Sequence, residues 1–242
     1  MSKLDQFKSL HENFFVLPNV WDAKSAMRME EEKYPALATS SAAVAGSLGY
    51  ADGEEMSFHT YLFIITRILS SVHIPLSVDL ETGYGGTDEE ISNNVLSLAR
   101  LGVVGINIED SIIGRPGRTL NDAATFAKTI ETVRNRLQTE NLDLFINIRC
   151  DTYILNREKE TLDRLKTYEN CGANGIFLPC ILEEQDIARA VQATKLPLNV
   201  MYLPDLPDQQ TLQQLGVKRL SLGPHLFNKP YAALDKVSLE FA

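Results

Sequence analysis

The chain has 242 residues, with 23 lysines and arginines against 32 aspartates and glutamates, and a formal net charge of −9. Such a chain is a poor match for nucleic acid, which needs a basic face, and no apolar run approaches the ~18 residues of a membrane span. A hydrophobic content of 44% is typical of a globular protein that buries a sizeable core.

The N-terminus and the cysteines bear on location. The first twelve residues are polar and charged, without the apolar stretch of a signal peptide. Cys150, Cys171 and Cys180 are an odd number without metal-site spacing, which indicates reduced thiols. We therefore expect a cytoplasmic protein.

Short apolar segments alternate with longer amphipathic segments along the whole chain. The predicted strands are residues 14–20, 36–39, 76–79, 105–108, 144–149, 175–178, 198–201 and 219–221. The predicted helices are residues 22–32, 59–71, 88–101, 122–139, 158–170, 183–194, 208–215 and 225–239. This alternation predicts a parallel sheet, and eight units favour a closed (β/α)8 TIM-type barrel, with residues 1–242 forming a single α/β domain.

Two connections are longer than the others. One spans residues 40–57 after the second predicted strand, and the other spans residues 110–121 after the fourth. Both follow the C-terminal end of a strand, where barrel enzymes carry their active sites. We expect both to be loops that act as lids.

Charged residues gather at three successive strand ends. Asp79 and Glu81 follow the third strand two residues apart, so strand alternation points them the same way, and a hard cation such as Mg²⁺ relieves their repulsion. Glu109 ends the fourth strand and Arg149 the fifth. Each residue alone could form a structural salt bridge. Together they indicate a carboxylate-held metal beside an arginine that grips a substrate carboxylate through two N–H groups.

Other chemistries lack their residues. No predicted strand ends in a lysine for a Schiff base or in a histidine cluster for zinc. We expect surface or structural roles for the scattered histidines, which are His11, His59, His73 and His225. Asn19 and Trp21 end the first strand, where they could line the pocket floor or plug the barrel.

Four motifs, in chain order, resemble those of the isocitrate lyase/phosphoenolpyruvate mutase superfamily. They are SLGYAD at 47–52, DLETG at 79–83, IED at 108–110 and IRCD at 148–151. The similarity covers nearly the whole chain, from PNVWDA at 18–23 to LSLGP at 220–224. It implies a Mg²⁺-dependent enzyme, with Mn²⁺ as an alternative ion, that forms a pyruvate enolate held at the metal, and it implies a homo-oligomer, either dimer or tetramer.

The resemblance also implies roles for individual residues. Asp79 would contact the metal most directly, with Glu81 and Glu109 holding it through water. Arg149 would bind the carboxylate of a 2-oxo or 2-hydroxy acid. Asp52, on the loop after strand two, would approach the bond that breaks, although it could instead only cap the helix that starts near residue 57. The predicted substrate-binding residues are Trp21, Ser40, Ser41 and Asn199.

One departure from the superfamily bears on the reaction. Its isocitrate and methylisocitrate lyases carry a Lys-Lys/Arg-Cys-Gly-His loop after strand four, whereas residues 111–118 contain neither cysteine nor histidine. Those two activities are therefore disfavoured. Arg115 and Arg118 could close over a distal anionic group or lie on a solvated loop. Cys150 is predicted to pack in the core, and Cys180 could face the pocket.

We therefore expect an enzyme that cleaves or forms a C–C bond of a small 2-oxo or 2-hydroxy carboxylate. One alternative is P–C chemistry, as in a phosphonomutase or a phosphonopyruvate hydrolase, with Asp52 as a nucleophile. Oxaloacetate decarboxylation or hydrolysis is another. A non-catalytic barrel that binds a metabolite is a fourth, although a pure binder has no need of three acids on the metal side.

Overall fold

The computed structural model describes residues 1–114 and 117–239, with the following helices and strands. They are α1 (Lys3–Leu10), β1 (Phe15–Leu17), β2 (Asn19–Val20), α2 (Ala23–Glu31), β3 (Leu37–Thr39), α3 (Ser41–Ser47), α4 (Phe58–Leu69), β4 (Leu76–Asp79), α5 (Asp88–Leu101), β5 (Gly105–Glu109), β6 (Ser111–Gly114), β7 (Gly117–Leu120), α6 (Ala123–Thr139), β8 (Phe145–Arg149), α7 (Thr161–Glu169), β9 (Gly175–Leu178), α8 (Glu184–Ala193), β10 (Leu198–Met201), α9 (Gln209–Leu215), β11 (Arg219–Ser221) and α10 (His225–Leu239). A 3₁₀ turn, Glu158–Glu160, leads into α7.

The main sheet is a parallel barrel. Within the described ranges, nine strands pair in the order β1-β11-β10-β9-β8-β5-β4-β3-β2. Because only Pro18 separates β1 from β2, the two ends of this order meet and the barrel is nearly closed, which confirms the predicted TIM-type fold. The prediction of one strand over residues 14–20 was wrong. β1 pairs with β11 and β2 with β3, so the chain changes neighbours at Pro18, which has no N–H to donate.

Both predicted lid segments contain regular structure. Residues 40–57 begin with α3, whose side chains Ala43, Val44 and Ala45 are buried. Residues 110–121 contain an antiparallel hairpin, in which β6 pairs with β7. Neither element shows the apolar periodicity of a long helix or a buried strand, so the sequence pattern did not indicate them. Arg115 lies outside the described residues.

Helix α1 closes the N-terminal end of the barrel. Ser2 and Asp5 form a capping box at its start, which satisfies backbone N–H groups there. Phe7 is fully buried and meets Phe145, the first residue of β8, edge to face at 5.6 Å between ring centroids. His11 stacks on the same ring at 4.1 Å. His11 therefore has a structural role, one of the two roles expected for the histidines.

We expect His11 to make the protein less stable in acid. Burial, with a contribution from Arg219, lowers the pKa of His11 from 6.5 to about 3. The unfolded chain takes up this proton near pH 6.5 and the folded chain does not until about pH 3. The contribution of neutral His11 to the free energy of unfolding is thus complete above pH 6.5. It is lost as the pH falls, by ~1.4 kcal/mol per pH unit. The free energy of unfolding, measured with urea, should fall with this slope below pH 6.5 in the parent, and this part of the pH dependence should be missing in His11→Asn. Parallel stability curves would contradict the assignment.

The centre of the barrel is polar. Arg219 of β11 is 1% exposed and donates to Asn107 Oδ1 at 2.7 Å, which also accepts from Asn147 at 2.8 Å. The Nε and Nη1 atoms of Arg219 have no hydrogen-bond partner in the part of the chain that the structure describes. Burial lowers the pKa of Arg219 to about 9, against the opposing effect of Asp79. A buried cation therefore lies within the barrel and interacts with Asp79 at the end of β4.

The three cysteines differ in their burial. Cys150, Cys171 and Cys180 are free thiols, and Cys150 is fully buried among core residues, as predicted. Burial raises the pKa of Cys180, although Arg149 acts in the opposite direction.

None of the described helices combines the length and apolarity needed to cross a bilayer.

Candidate active site

Neighbouring strands bring the predicted acids and arginine to one end of the barrel. Asp79, Glu109 and Arg149 are the last residues of β4, β5 and β8, which lie side by side in the sheet. Asp79 is in register with Asn107, and Glu109 is in register with Arg149. The three side chains therefore meet at the C-terminal rim, where barrel enzymes carry out their chemistry.

Ser41 links Asp79 to Asp52. Asp79 Oδ2 accepts hydrogen bonds from Ser41 N at 3.2 Å and from Ser41 Oγ at 2.9 Å. The same hydroxyl lies 3.2 Å from Asp52 Oδ1. A serine hydroxyl has one proton, so it serves only one carboxylate at a time. Burial of the Asp52 carboxyl group, followed by the charge of Asp79, raises the pKa of Asp52, which favours a protonated form of this residue.

The backbone around Asp79 is held from the side of α4. Asp79 N donates to Thr39 Oγ1 at 3.0 Å, and Tyr61 OH donates to the Asp79 carbonyl at 2.9 Å. Thr39 Oγ1 and Tyr61 OH also lie 2.7 Å apart. These contacts fix the end of β4, and Asp79 Oδ1 is left buried without a partner among the described residues.

Glu81 is placed by a turn, which corrects the argument from strand alternation. β4 ends at Asp79, and Glu81 adopts a left-handed conformation with φ +53°. Its carboxylate is 2% exposed and accepts from Tyr84 OH at 2.6 Å and from Glu54 N at 2.9 Å. Burial raises the pKa of Glu81 to about 7, and the charges of Asp52 and Asp79 add to the shift.

Two arginines and two acids form a network on the other side of the site. Arg149 Nη1 lies 2.8 Å from Glu109 Oε2, and Arg149 Nε donates to Asp151 Oδ1 at 2.6 Å. Arg118 Nη1 lies 3.0 Å from Asp151 Oδ2 and also contacts Glu109. Ser111 donates to Asp151 at 2.7 Å. Of the two interpretations of Arg118, a solvated loop position is therefore wrong, because the hairpin carries this residue into the site.

Arg149 keeps donors free for a ligand. Burial acts to lower its pKa, but Glu109, Asp151 and Asp79 outweigh this effect and raise it above the usual value, so Arg149 is charged. Asp151 occupies Nε and one N–H of Nη2, and Nη1 faces Glu109. Because a guanidinium has five N–H donors, one on each of Nη1 and Nη2 remains for a planar carboxylate.

We expect Arg149→Lys to lose most of the affinity for oxalate although the positive charge is kept. Lysine cannot make the planar two-point contact, and losing a charged contact of this kind costs about 2–5 kcal/mol. Calorimetric titration of oxalate in the presence of Mg²⁺ measures the effect. Arg157→Lys, at an exposed surface arginine, is the matched control. A dissociation constant within about twofold of the parent would remove Arg149 from the binding site, because two N–H contacts are worth more than that.

The other predicted substrate residues are placed differently from one another. Ser40 is buried, and its hydroxyl caps α3 by accepting from Ala43 N at 3.3 Å. Asn199 is buried inside the barrel, where its Oδ1 accepts from Ser221 at 3.0 Å and its Nδ2 has no partner in residues 1–114 and 117–239. Trp21 packs against Phe227 of α10, with ring centroids 5.3 Å apart. Trp21 also lines a separate apolar cleft of about 300 Å³ with Asn19.

A larger cleft flanks the barrel mouth. It measures about 730 Å³ and lies between the β6–β7 hairpin and the N-terminal ends of α5 and α6. Its lining includes Glu54 and Glu109 but neither Asp79 nor Arg149. The cleft thus reaches the site from the side of Glu109, and the contacts of Arg118 close the hairpin over the network beside it.

The donor set fits a hard divalent cation. Five carboxyl groups, from Asp52, Asp79, Glu81, Glu109 and Asp151, gather around the two arginines Arg118 and Arg149, with the buried Arg219 interacting with Asp79 from within the barrel, so carboxyl groups outnumber cations. Asp79 Oδ1 is buried and has no partner in residues 1–114 and 117–239, and it is an oxygen of the kind that Mg²⁺ prefers. No three acidic, histidine or cysteine side chains of the described residues converge on one direct site. A cation bound here would meet Asp79 Oδ1 first, because the oxygens of Glu81 already accept from Tyr84 and Glu54 and those of Glu109 lie against arginines.

Two residues of this site, Asp151 and Glu54, were not predicted, and the role of Arg118 was left open between two interpretations. Asp151 follows Arg149 by two residues, so its position in the motif was a signal for it. Glu54 lies on a loop and Arg118 in β7, and each has a partner far along the sequence, 28 residues away for Glu54 and 33 for Arg118. No local pattern indicates such contacts.

A parallel (β/α)8 barrel with acids and an arginine at adjacent C-terminal strand ends defines a class of TIM-barrel enzymes. The profile of the phosphoenolpyruvate phosphomutase family matches residues 7–242. The chain belongs to this family, within the isocitrate lyase/phosphoenolpyruvate mutase superfamily of enzymes.

Individual relatives agree with this assignment. An uncharacterized protein of Mycobacterium tuberculosis H37Rv is 33% identical over 222 residues, which are 90% of this chain and 80% of the relative. An oxaloacetate decarboxylase of Paraburkholderia xenovorans is 27% identical over 235 residues, 92% of this chain and 76% of that enzyme. The crystal structure of a protein from Burkholderia cenocepacia, provisionally assigned as a phosphonomutase, superimposes with a TM-score of 0.92 at 33% identity and covers 98% of both chains.

Proposed function

We propose that this protein cleaves or forms a C–C bond in a small 2-oxo or 2-hydroxy carboxylate through an enolate, with Mg²⁺ or Mn²⁺ as its ion. The observation that carries the proposal is the buried Oδ1 of Asp79, which has no partner among the described residues; Asp79 shares the Ser41 hydroxyl with Asp52 and interacts electrostatically with Arg149. A bound divalent ion would neutralise the negative charge that develops on the substrate's carbonyl oxygen.

The chain's own residues account for binding. Arg149 holds the substrate carboxylate through the two N–H groups that Asp151 and Glu109 leave free. Among the described residues, Asn199 Nδ2 has no partner and the Ser40 hydroxyl only accepts, so both have a donor available for substrate oxygens. These donors are fixed by the barrel and by α3, so they cost little reorganisation when charge develops on the substrate.

Asp52 accounts for proton transfer. When the C–C bond breaks, its electron pair passes into the enolate, and the other fragment leaves as CO2 or as a new carbonyl compound that has lost its hydroxyl proton. The enolate carbon must then take up a proton. The raised pKa of Asp52 suits a group that holds this proton, and Ser41 orients its carboxyl group. In the direction of bond formation the same carboxylate removes the proton.

A second candidate is P–C bond chemistry, which the family assignment and the similarity to the B. cenocepacia protein favour. Here the group that leaves the enolate is phosphoryl, and Asp52 acts as the nucleophile that accepts it. Decarboxylation or hydrolysis of oxaloacetate needs the same ion and the same arginine. The similarity to the P. xenovorans decarboxylase favours oxaloacetate as the first substrate to try.

A substrate screen tests the proposal. Oxaloacetate, 2-methylisocitrate, 2,3-dimethylmalate and phosphonopyruvate are each incubated with the protein and Mg²⁺, and pyruvate and phosphoenolpyruvate are measured. We expect Mg²⁺-dependent pyruvate release from at least one C–C substrate, abolished in Asp52→Ala. Turnover of phosphonopyruvate alone would favour the second candidate. Oxalate binding without turnover of any acid would favour a non-catalytic metabolite-binding barrel.

The homo-oligomer belongs to the same proposal. Tyr231 and Leu234 of α10 are exposed and lie three residues apart, so they share one helix face. Association through this face would remove apolar surface from water. Light scattering of the parent and of Leu234→Glu tests the idea, and a monomeric parent would contradict it.

A further inference from the structure

Glu54 joins the loop of Asp52 to the turn that follows β4. It lies two residues after Asp52, and its Oε1 accepts hydrogen bonds from Thr82 N at 2.9 Å, Thr82 Oγ1 at 2.6 Å and Tyr84 N at 2.9 Å. In return, Glu54 N donates to Glu81 Oε2 at 2.9 Å. The residue is thus bonded to the turn through both its side chain and its backbone.

The turn is a rigid anchor for this contact. A Cβ on Gly83, whose φ is +110°, would lie 2.8 Å from Ile91 of α5, so the turn packs closely on that helix. Asn94 of α5 donates to the carbonyl groups of Gly83 at 3.0 Å and Tyr84 at 2.9 Å. The turn to which Glu54 is hydrogen-bonded is therefore held in place by α5 and by the end of β4.

The Asp52 loop is otherwise held by Met56, which is buried in the hydrophobic core after Glu54, and by few other contacts among the described residues. Within that part of the chain, Asp52 itself makes one long hydrogen bond, of 3.2 Å, to Ser41. The side chain of Glu55 bonds to Ala51 and so stays within the same loop. Glu54 adopts φ +62°, a conformation that costs a non-glycine residue free energy and persists only where its surroundings stabilise it. The four hydrogen bonds to the turn supply that stabilisation.

We propose that Glu54 is a positioning residue that fastens the Asp52 loop to the turn and so places the Asp52 carboxyl group over the site. The proposal rests on the proposed function, because it treats Asp52 as the group that transfers the proton. Glu54 bonds to neither Asp79 nor Arg149 among the described residues, and its contact with Glu81 is made by the backbone N–H, which a side-chain substitution keeps. The effect of substituting Glu54 should therefore fall on turnover and leave ligand binding intact.

Substitutions of Glu54 separate positioning from binding. Glu54→Ala removes all three acceptor contacts, and we expect kcat to fall about 10- to 100-fold, the scale of a misplaced catalytic group. Oxalate affinity in the presence of Mg²⁺ should stay within about twofold of the parent, as for a residue outside the binding contacts. Glu54→Gln keeps an acceptor oxygen at the same place and should restore most of the turnover. Glu89→Ala, at an exposed glutamate of α5, is the matched control and should change kcat by no more than about twofold.

A second substitution identifies the contact. Thr82→Val removes the hydroxyl that donates to Glu54 at 2.6 Å and keeps the shape of the side chain. If the two residues act through this bond, Thr82→Val should add no further loss of kcat in a Glu54→Ala background. Full additivity of the two losses would overturn the assignment of Thr82 as the anchor.

A measurement without substrate tests the positioning role of Glu54 independently of the proposed function. Hydrogen exchange of the amides of residues 48–57 is compared in the parent, Glu54→Ala and Glu54→Gln. We expect faster exchange in Glu54→Ala and near-parental exchange in Glu54→Gln, even if the parent turns over none of the acids screened. Unchanged exchange in Glu54→Ala would overturn the proposal. So would a loss of kcat accompanied by an equal loss of oxalate affinity.

Discussion

Replacing Asp52 by alanine is expected to lower turnover by at least ~100-fold, the scale of losing a positioned acid–base group or nucleophile. Mg²⁺ and oxalate binding should persist, because Asp79 and Arg149 remain in place and Ser41, which bonds to Asp79, can keep that bond without Asp52. Asp52→Asn, which keeps the side-chain shape but cannot carry the proton, should show the same loss. Turnover and calorimetric binding are measured on the same samples.

The alternative role of Asp52, as a helix cap, is not what the structure shows. Ser57 caps α4 itself, and its hydroxyl accepts from Thr60 N at 3.2 Å. Loss of a cap would lower stability by about 1 kcal/mol and leave turnover near normal. Near-normal turnover of Asp52→Ala would therefore contradict the catalytic role, and loss of oxalate binding along with turnover would place Asp52 among the ligand-binding groups.

Replacing Asp79 by alanine is expected to abolish divalent-ion binding. Asp79 Oδ1 is buried, and no described residue donates to it or forms an ion pair with it, whereas the Glu109 oxygens both lie against arginines, although Oε2 likewise lacks a hydrogen bond of good geometry among those residues. Glu109→Ala should therefore weaken Mg²⁺ binding less than Asp79→Ala does. Calorimetric titration with Mg²⁺ measures both, and Asp163→Ala at an exposed aspartate is the matched control.

Folding of the variant must be checked separately, because Asp79 also accepts two hydrogen bonds from Ser41. Asp79→Asn keeps an oxygen for these bonds and removes the charge, so it should retain the parent's melting temperature and still lose the ion. Unchanged Mg²⁺ affinity in both Asp79 variants would refute the assignment of Asp79 as the direct ligand.

The sequence predicted those features of the fold and the site that follow from the periodicity of its strands and helices. The barrel and the meeting of Asp79, Glu109 and Arg149 follow from alternation of short apolar strands with amphipathic helices, since parallel strands deliver their C-terminal residues to one rim. Family resemblance added Asp52 and Ser41, whose hydrogen bond the structure shows.

The remainder depends on contacts without a local signature. Glu81 reaches the site from a left-handed turn, so alternation suggested the correct region for the wrong reason. Arg118 arrives on a hairpin whose residues Ile112 and Ile113 are exposed and therefore lack a buried-strand pattern. Helix α1 is short and mostly polar, and its few apolar residues matter only because they cover the barrel end.

The most direct test of the central claim is oxalate binding by the parent protein with and without a divalent ion. Oxalate has the planar shape and charge of the enolate of pyruvate, so it should bind where ion and arginine act together. We expect calorimetric binding with Mg²⁺ and none in excess EDTA. Equal affinity under both conditions, or no binding with Mg²⁺, would contradict a site in which Asp79 holds an ion and Arg149 holds a carboxylate beside it.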